Sequence, residues 1–134
     1  MTEYDSVRVN QVMKKRAGSH AQAVKMAFLS FEEQLALVRS TNVLIGMHGA
    51  ALTFLPFLAD HAVVIELVPV NGMRKFHFHN LAAWADKGFF LWRNSIADNE
   101  KDAMNTLVDP TQFDALLARA LTSPSLRKLD APRR

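Results

Sequence analysis

The two residues of this chain best placed to do chemistry are a histidine in a glycine-rich turn and a glutamate inside an apolar strand. His48 stands in Gly46-Met47-His48-Gly49-Ala50-Ala51-Leu52-Thr53, and Glu66 interrupts the run Val63-Val64-Ile65-Glu66-Leu67. A histidine there can donate to a phosphate, act as a general base, or only bond nearby backbone. A carboxylate inside an apolar strand carries a large desolvation penalty unless something pairs with it. Two kinds of partner fit Glu66: a ribose diol, which acidic residues near strand ends accept from, or a structural mate such as Arg39, Arg74 or a backbone N–H. Gly46, Gly49, Ala50 and Ala51 are small, so the amides of residues 49–52 can approach a phosphate at a helix N-terminus, where the helix dipole favours negative charge. Arg74, Lys75 and Arg93 could neutralise a diphosphate. Arg74 is the best placed of the three because it follows the Asn71-Gly72 turn after the Glu66 strand.

Some familiar chemistries are absent. No Gly-Lys-Ser/Thr follows the turn, and its glycines lack the dinucleotide-binding spacing. His77 and His79 would share a face only in a strand, whereas their segment reads as a helix and supplies no third ligand, so no metal site is expected. No Asp-x-Asp pair is present to hold a divalent ion against a diphosphate, and no nucleophile elbow points to a hydrolase.

The elements that must position His48 and Glu66 follow from periodicity. The pattern predicts a helix over Asp5–Lys15, a strand over Val24–Phe28, and a helix opened by Ser30 with Glu33 as its capping-box partner. Phe31, Leu35 and Val38 form the apolar face of that helix, and its Gln34 can reach the strand ends. Asn42–Ile45 and Val63–Val68 read as buried parallel strands separated by a helix over Ala50–Leu58. A turn over Pro69–Gly72, a helix over Phe76–Ala85 and a buried strand over Phe89–Trp92 come next. Arg93–Val108 reads as irregular. Asp109, Pro110 and Gln112 then start a helix that runs to Leu121, and the chain is expected to fray from Ser123. Both tryptophans, Trp84 and Trp92, are expected in the core. Alternating strands and helices imply an α/β fold with a Rossmann-like, doubly wound parallel sheet. Three sections are expected: an N-terminal segment (1–22), a Rossmann-like domain (23–122) and a flexible basic tail (123–134).

Composition sets further bounds. A chain of 134 residues suffices for one hydrophobic core. With no cysteine, disulfides and thiolate metal sites are excluded. The sequence holds no apolar run long enough to span a bilayer. The net charge of +3 sits partly in Lys14-Lys15-Arg16 and the last eight residues. No aromatic–basic interleaving accompanies it, so no nucleic-acid partner is expected. Missing cysteines, sequons and signal-peptide pattern fit a cytoplasmic chain better than a lumenal one; as a piece of a longer secretory enzyme it would reside in the ER or Golgi lumen.

The motifs also carry a resemblance. Phe31-Glu32-Glu33-Gln34, Val43-Leu44-Ile45, the Gly46–Thr53 turn and Val64-Ile65-Glu66-Leu67 stand in the order and spacing of glycosyltransferase family 61 (DUF563). The resemblance spans roughly Ala23 to Trp92. It implies the nucleotide-sugar-binding half of a two-domain GT-B glycosyltransferase, taking a UDP-sugar without metal or other cofactor. Inverting transfer would go to an acceptor hydroxyl of a protein or glycan. By this resemblance Gly46, His48, Gly49, Ala50, Ala51, Leu52, Thr53, Glu66 and Arg74 contact the donor, and His48 is the candidate base. Catalysis would call on a missing N-terminal domain or a homodimer. The sequence departs from the family pattern at Ala51, in place of glycine, at Phe54, in place of asparagine, and at Leu58–Ala62, in place of a Pro-Pro-Gly-Ala-like turn. Those departures leave a second reading open: a non-catalytic remnant or an unrelated phosphate-binding α/β domain.

Overall fold

The computed structural model describes residues 11–69, 76–94, 100–102, 105–106 and 108–127. Its centre is a three-stranded, all-parallel sheet of β1 (Val43–Met47), β2 (Val63–Val68) and β3 (Gly88–Arg93), in the order β1-β2-β3. All six residues of β2 are buried, whereas the two flanking strands are only partly covered. This explains why β2 reads as an unbroken apolar run: it is the one strand with a neighbour on each side and a layer on each face.

The alternation of β2 divides the core into two layers. Val63, Ile65 and Leu67 meet Phe113, Leu116, Leu117 and Ala120 of α4 (Pro110–Leu121), the i, i+3, i+4, i+7 face of that helix. Val12 and Met13 of α1 (11–17) pack against the same layer. Val64 faces the other way, among Val38 of α2 (Phe31–Arg39), Leu52, Leu55 and Leu58 around the β1–β2 connection, and Phe78 and Ala82 of α3 (His77–Trp84). Glu66 shares the parity of Val64, so it points into this second layer.

The helix caps form as expected. Ser30 accepts from the Glu33 amide at 3.2 Å and Glu33 Oε2 accepts from the Ser30 amide at 2.7 Å. Asp109 caps α4 through the Gln112 amide at 2.8 Å. The parallel pairing of the first two expected strands is also found, with helices on both faces of the sheet.

Several expectations do not hold. The strand expected over Val24–Phe28 is instead a single 3-10 turn, Met26–Phe28. Gln34 does not reach the strand ends: its side-chain amide donates to the carbonyls of Met26 (2.7 Å) and Leu29 (3.1 Å), curling this segment onto α2. The helix expected over Ala50–Leu58 is a 3-10 helix, Ala50–Phe57. Pro56 lies within it, and in an α-helix its ring would strike the Leu52 carbonyl and remove a bond. Phe31 is exposed, with its ring 6.4 Å from that of Phe54. Trp84, the last residue of α3, is 82% exposed and not in the core, while Trp92 is buried and donates to Gln112 at 2.9 Å. The region expected to be irregular contains a short antiparallel pair, β4 (Glu100–Asp102) with β5 (Asn105–Thr106). Residues expected to fray from Ser123 open with a helical turn, α5 (Pro124–Arg127), whose Leu126 joins the α4 layer. Of the helix expected over Asp5–Lys15, residues 11–17 are helical and residues 5–10 lie outside the described residues.

Candidate functional site

The turn leaving β1 and the end of β2 meet at the carboxyl edge of the sheet. Gly46 and Glu66 are register partners, and the His48 amide extends the ladder by donating to the Leu67 carbonyl at 3.0 Å. The backbone therefore delivers the His48 side chain directly over that of Glu66. Nδ1 of His48 hydrogen-bonds Oε1 of Glu66. Glu66 is 2% exposed, and about a quarter of the His48 side chain remains open to solvent. An ionised carboxylate only accepts, so the proton between them belongs to Nδ1, and Nε2 is the ring atom left to face a ligand.

Two further rings fix the imidazole plane. His77 lies edge-on at 4.8 Å between centroids and Phe78 edge-on at 5.0 Å, with His77 and Phe78 themselves 4.4 Å apart. Phe78 is buried and His77 is exposed, so one ring closes the site from below and the other borders its opening. Neither was a candidate donor contact from sequence. The signal was present in topology: α3 follows β2, so its first residues must return to the same edge of the sheet as His48. His79, two residues on, packs against Phe89 at 5.2 Å, so the two histidines diverge on the helix.

The glycines divide into two kinds. A Cβ on Gly46 would meet Leu52 Cδ2 at 3.2 Å, so glycine here makes room for a core side chain. A Cβ on Gly49 would meet nothing nearer than the Met47 carbonyl oxygen at 3.8 Å, and its backbone is extended. Packing among the described residues gives no reason for glycine at position 49. The first internal bond of the 3-10 helix runs from the Leu52 amide to the Gly49 carbonyl at 3.1 Å, which leaves the amides of residues 50 and 51 ahead of it. The Leu52 amide thus already has a partner, and its side chain is fully buried. Thr53 is exposed on the same helix.

Among the described residues Glu66 pairs with His48 and not with Arg39. Arg39 is exposed at the end of α2, and Arg74 lies outside the described residues, as does Lys75. Among the described residues no group of three His, Asp or Glu side chains is arranged to hold a metal ion, and no helix is long and apolar enough to cross a membrane.

The family model described as Glycosyltransferase 61 matches residues 8–65. An EGF domain-specific O-linked N-acetylglucosamine transferase of Gallus gallus is 56% identical over 87 residues, covering 63% of this chain and 16% of that protein. The Bos taurus protein of that name is 36% identical over 87 residues with the same coverage. The Drosophila melanogaster one is 52% identical over 46 residues, 34% of this chain and 9% of that protein. The chain thus spans about a sixth or less of the curated relatives it matches. The stretch matched by the family model contains α2, β1, the His48 turn and the first three residues of β2, and ends one residue before Glu66. Over residues 8–65, then, the chain is similar to glycosyltransferase family 61.

Proposed function

We propose that this chain is the donor-binding part of an inverting glycosyltransferase, a Rossmann-like half of a GT-B enzyme that takes a UDP-sugar. The observation that carries the reading is the His48–Glu66 pair at the carboxyl edge of a parallel sheet, where α/β folds place their ligands. Glu66 orients the imidazole and balances positive charge on it, and Nε2 faces the donor phosphates. The amides at residues 49–51 add donors, and Gly49, unexplained by packing, lets the diphosphate approach the backbone. The ribose contact considered for Glu66 gives way to its bond with His48, so Glu66 acts through the histidine. Arg74 remains a further candidate for the diphosphate.

In this reading, transfer is a single displacement by an acceptor hydroxyl of a protein or glycan, whose proton goes to a base other than His48, because a ring donating from both nitrogens has no lone pair to accept one. A second domain or a second copy would present the acceptor, because donor and acceptor must be held in attack geometry. The likeness to EGF domain-specific transferases favours a protein acceptor and an N-acetylglucosamine donor. Donor binding needs no divalent ion, since histidine and backbone amides supply the positive field. Calorimetric titration with UDP, in excess EDTA and again with Mn²⁺, tests this. Saturable UDP binding in EDTA is expected, with less than about a tenfold gain from metal, roughly 1.4 kcal/mol. A larger gain refutes the metal-free donor site, and no binding under either condition leaves the remnant reading in its place.

A further inference from the structure

We infer that His77 is a second phosphate-facing imidazole, which together with His48 holds the diphosphate of the ligand; this rests on the donor-site reading above. His77 comes from a different element, the first turn of α3, yet its ring lies 4.8 Å from that of His48 at 66°. The two differ in how they are held. His48 is fixed from behind by Glu66, whereas among the described residues neither ring nitrogen of His77 has a hydrogen-bond partner, and the ring is exposed.

A ring serving only as a wall against His48 and Phe78 gains nothing from its nitrogens, and phenylalanine would serve as well. Imidazole adds a polar N–H at the carboxyl edge, where the described residues also offer Nε2 of His48 and the amides at residues 49–51. These donors suit an anion with several acceptor oxygens, so a diphosphate fits better than a neutral sugar or a nucleobase. Phe76, the N-cap of α3, provides no side-chain cap, so that end of the helix adds to the field without competing for it.

The 134-residue chain and its variants His77→Phe and His77→Gln are titrated calorimetrically with UDP, uridine and inorganic pyrophosphate, all in excess EDTA. The expected result is an affinity for UDP and pyrophosphate about tenfold weaker in His77→Phe, largely retained in His77→Gln, with uridine affinity and melting temperature unchanged. Equal UDP affinity in His77→Phe and the parent overturns the inference while leaving the donor reading intact. Pyrophosphate bound as tightly as UDP, and weakened in His77→Phe, supports the inference and refutes the nucleotide reading. Loss of uridine and UDP affinity together in His77→Phe, or no binding of UDP and pyrophosphate by the parent in EDTA, overturns the inference.

Discussion

The two edges of the sheet use similar residue types for opposite ends. At the carboxyl edge, His48, Glu66 and His77 come from three elements and converge on a spot that stays open, and only Glu66 is sealed. At the amino edge, a lysine is turned inward to hold the chain to itself. Lys87 Nζ donates to the carbonyls of Leu58 (3.2 Å) and Ala59 (2.9 Å), tying the turn before β2 to the turn before β3. His61 and Asp86, in those same two turns, both adopt left-handed backbone (φ 61° and 55°) and face each other at 3.8 Å. A Cβ on Gly88 would come within 3.0 Å of Val63 and 3.2 Å of the Ser125 hydroxyl, so α5 closes tightly over this edge. At the amino edge Lys87 ties the chain to itself; at the carboxyl edge a histidine held from behind and open in front is set to meet a ligand.

That contrast is breakable. The largest expected effect is at the carboxyl edge: Glu66→Gln keeps the volume but removes the charge that orients His48, and UDP affinity should fall by about 1.5 kcal/mol or more, tenfold or greater. Calorimetry beside a thermal melt reads it. A variant that unfolds, or binds UDP as the parent does, would place Glu66 with the structural residues.

Second in size is Lys87→Met at the opposite edge. Losing two charge-assisted bonds should lower stability by about 1–2 kcal/mol in urea unfolding while UDP affinity holds. Weakened UDP binding would show that the edges are not independent.

His61→Gly should act in the reverse direction and raise stability by about 0.5–1 kcal/mol. Relief of left-handed strain outweighs the extra freedom of glycine in the unfolded chain, and the pair with Asp86, 84% exposed on its side chain, gives up little. A destabilised variant would mean that the imidazole contributes more than its backbone strain removes.

The smallest effect concerns α1 and α4. The Arg16 guanidinium grips Asp114 through two bonds of 2.7 Å and holds its carboxyl below the usual carboxylate range. A depressed carboxylate stabilises the fold above its unfolded pKa, and that contribution fades as pH falls through the folded one. Asp114→Asn should therefore be slightly less stable than the parent at neutral pH and equal to it in strong acid, with added salt shrinking the gap. A gap that persists in acid would point to packing and not charge.

Local chemistry is legible where the causes lie within a few residues. The Ser30–Glu33 and Asp109–Gln112 caps, the buried parallel β2 and the glycine-bounded His48 turn all follow from neighbours in sequence. So does the family likeness, because its motifs are contiguous. Tertiary structure decided the rest. Val24–Phe28 has strand-like alternation, yet Gln34 captures the carbonyls of Met26 and Leu29 and the segment closes into a 3-10 turn. Trp84 is apolar but ends its helix in solvent. The identity of Glu66's partner rests on the register that sets Gly46 beside it and on the ladder bond that carries His48 over it. His77 joins the site only because α3 returns to the same edge of the sheet. Spacing along the chain shows which side chains can do chemistry. Which of them meet depends on strand register and crossover path, and those are set by burying two apolar layers against β2 at once.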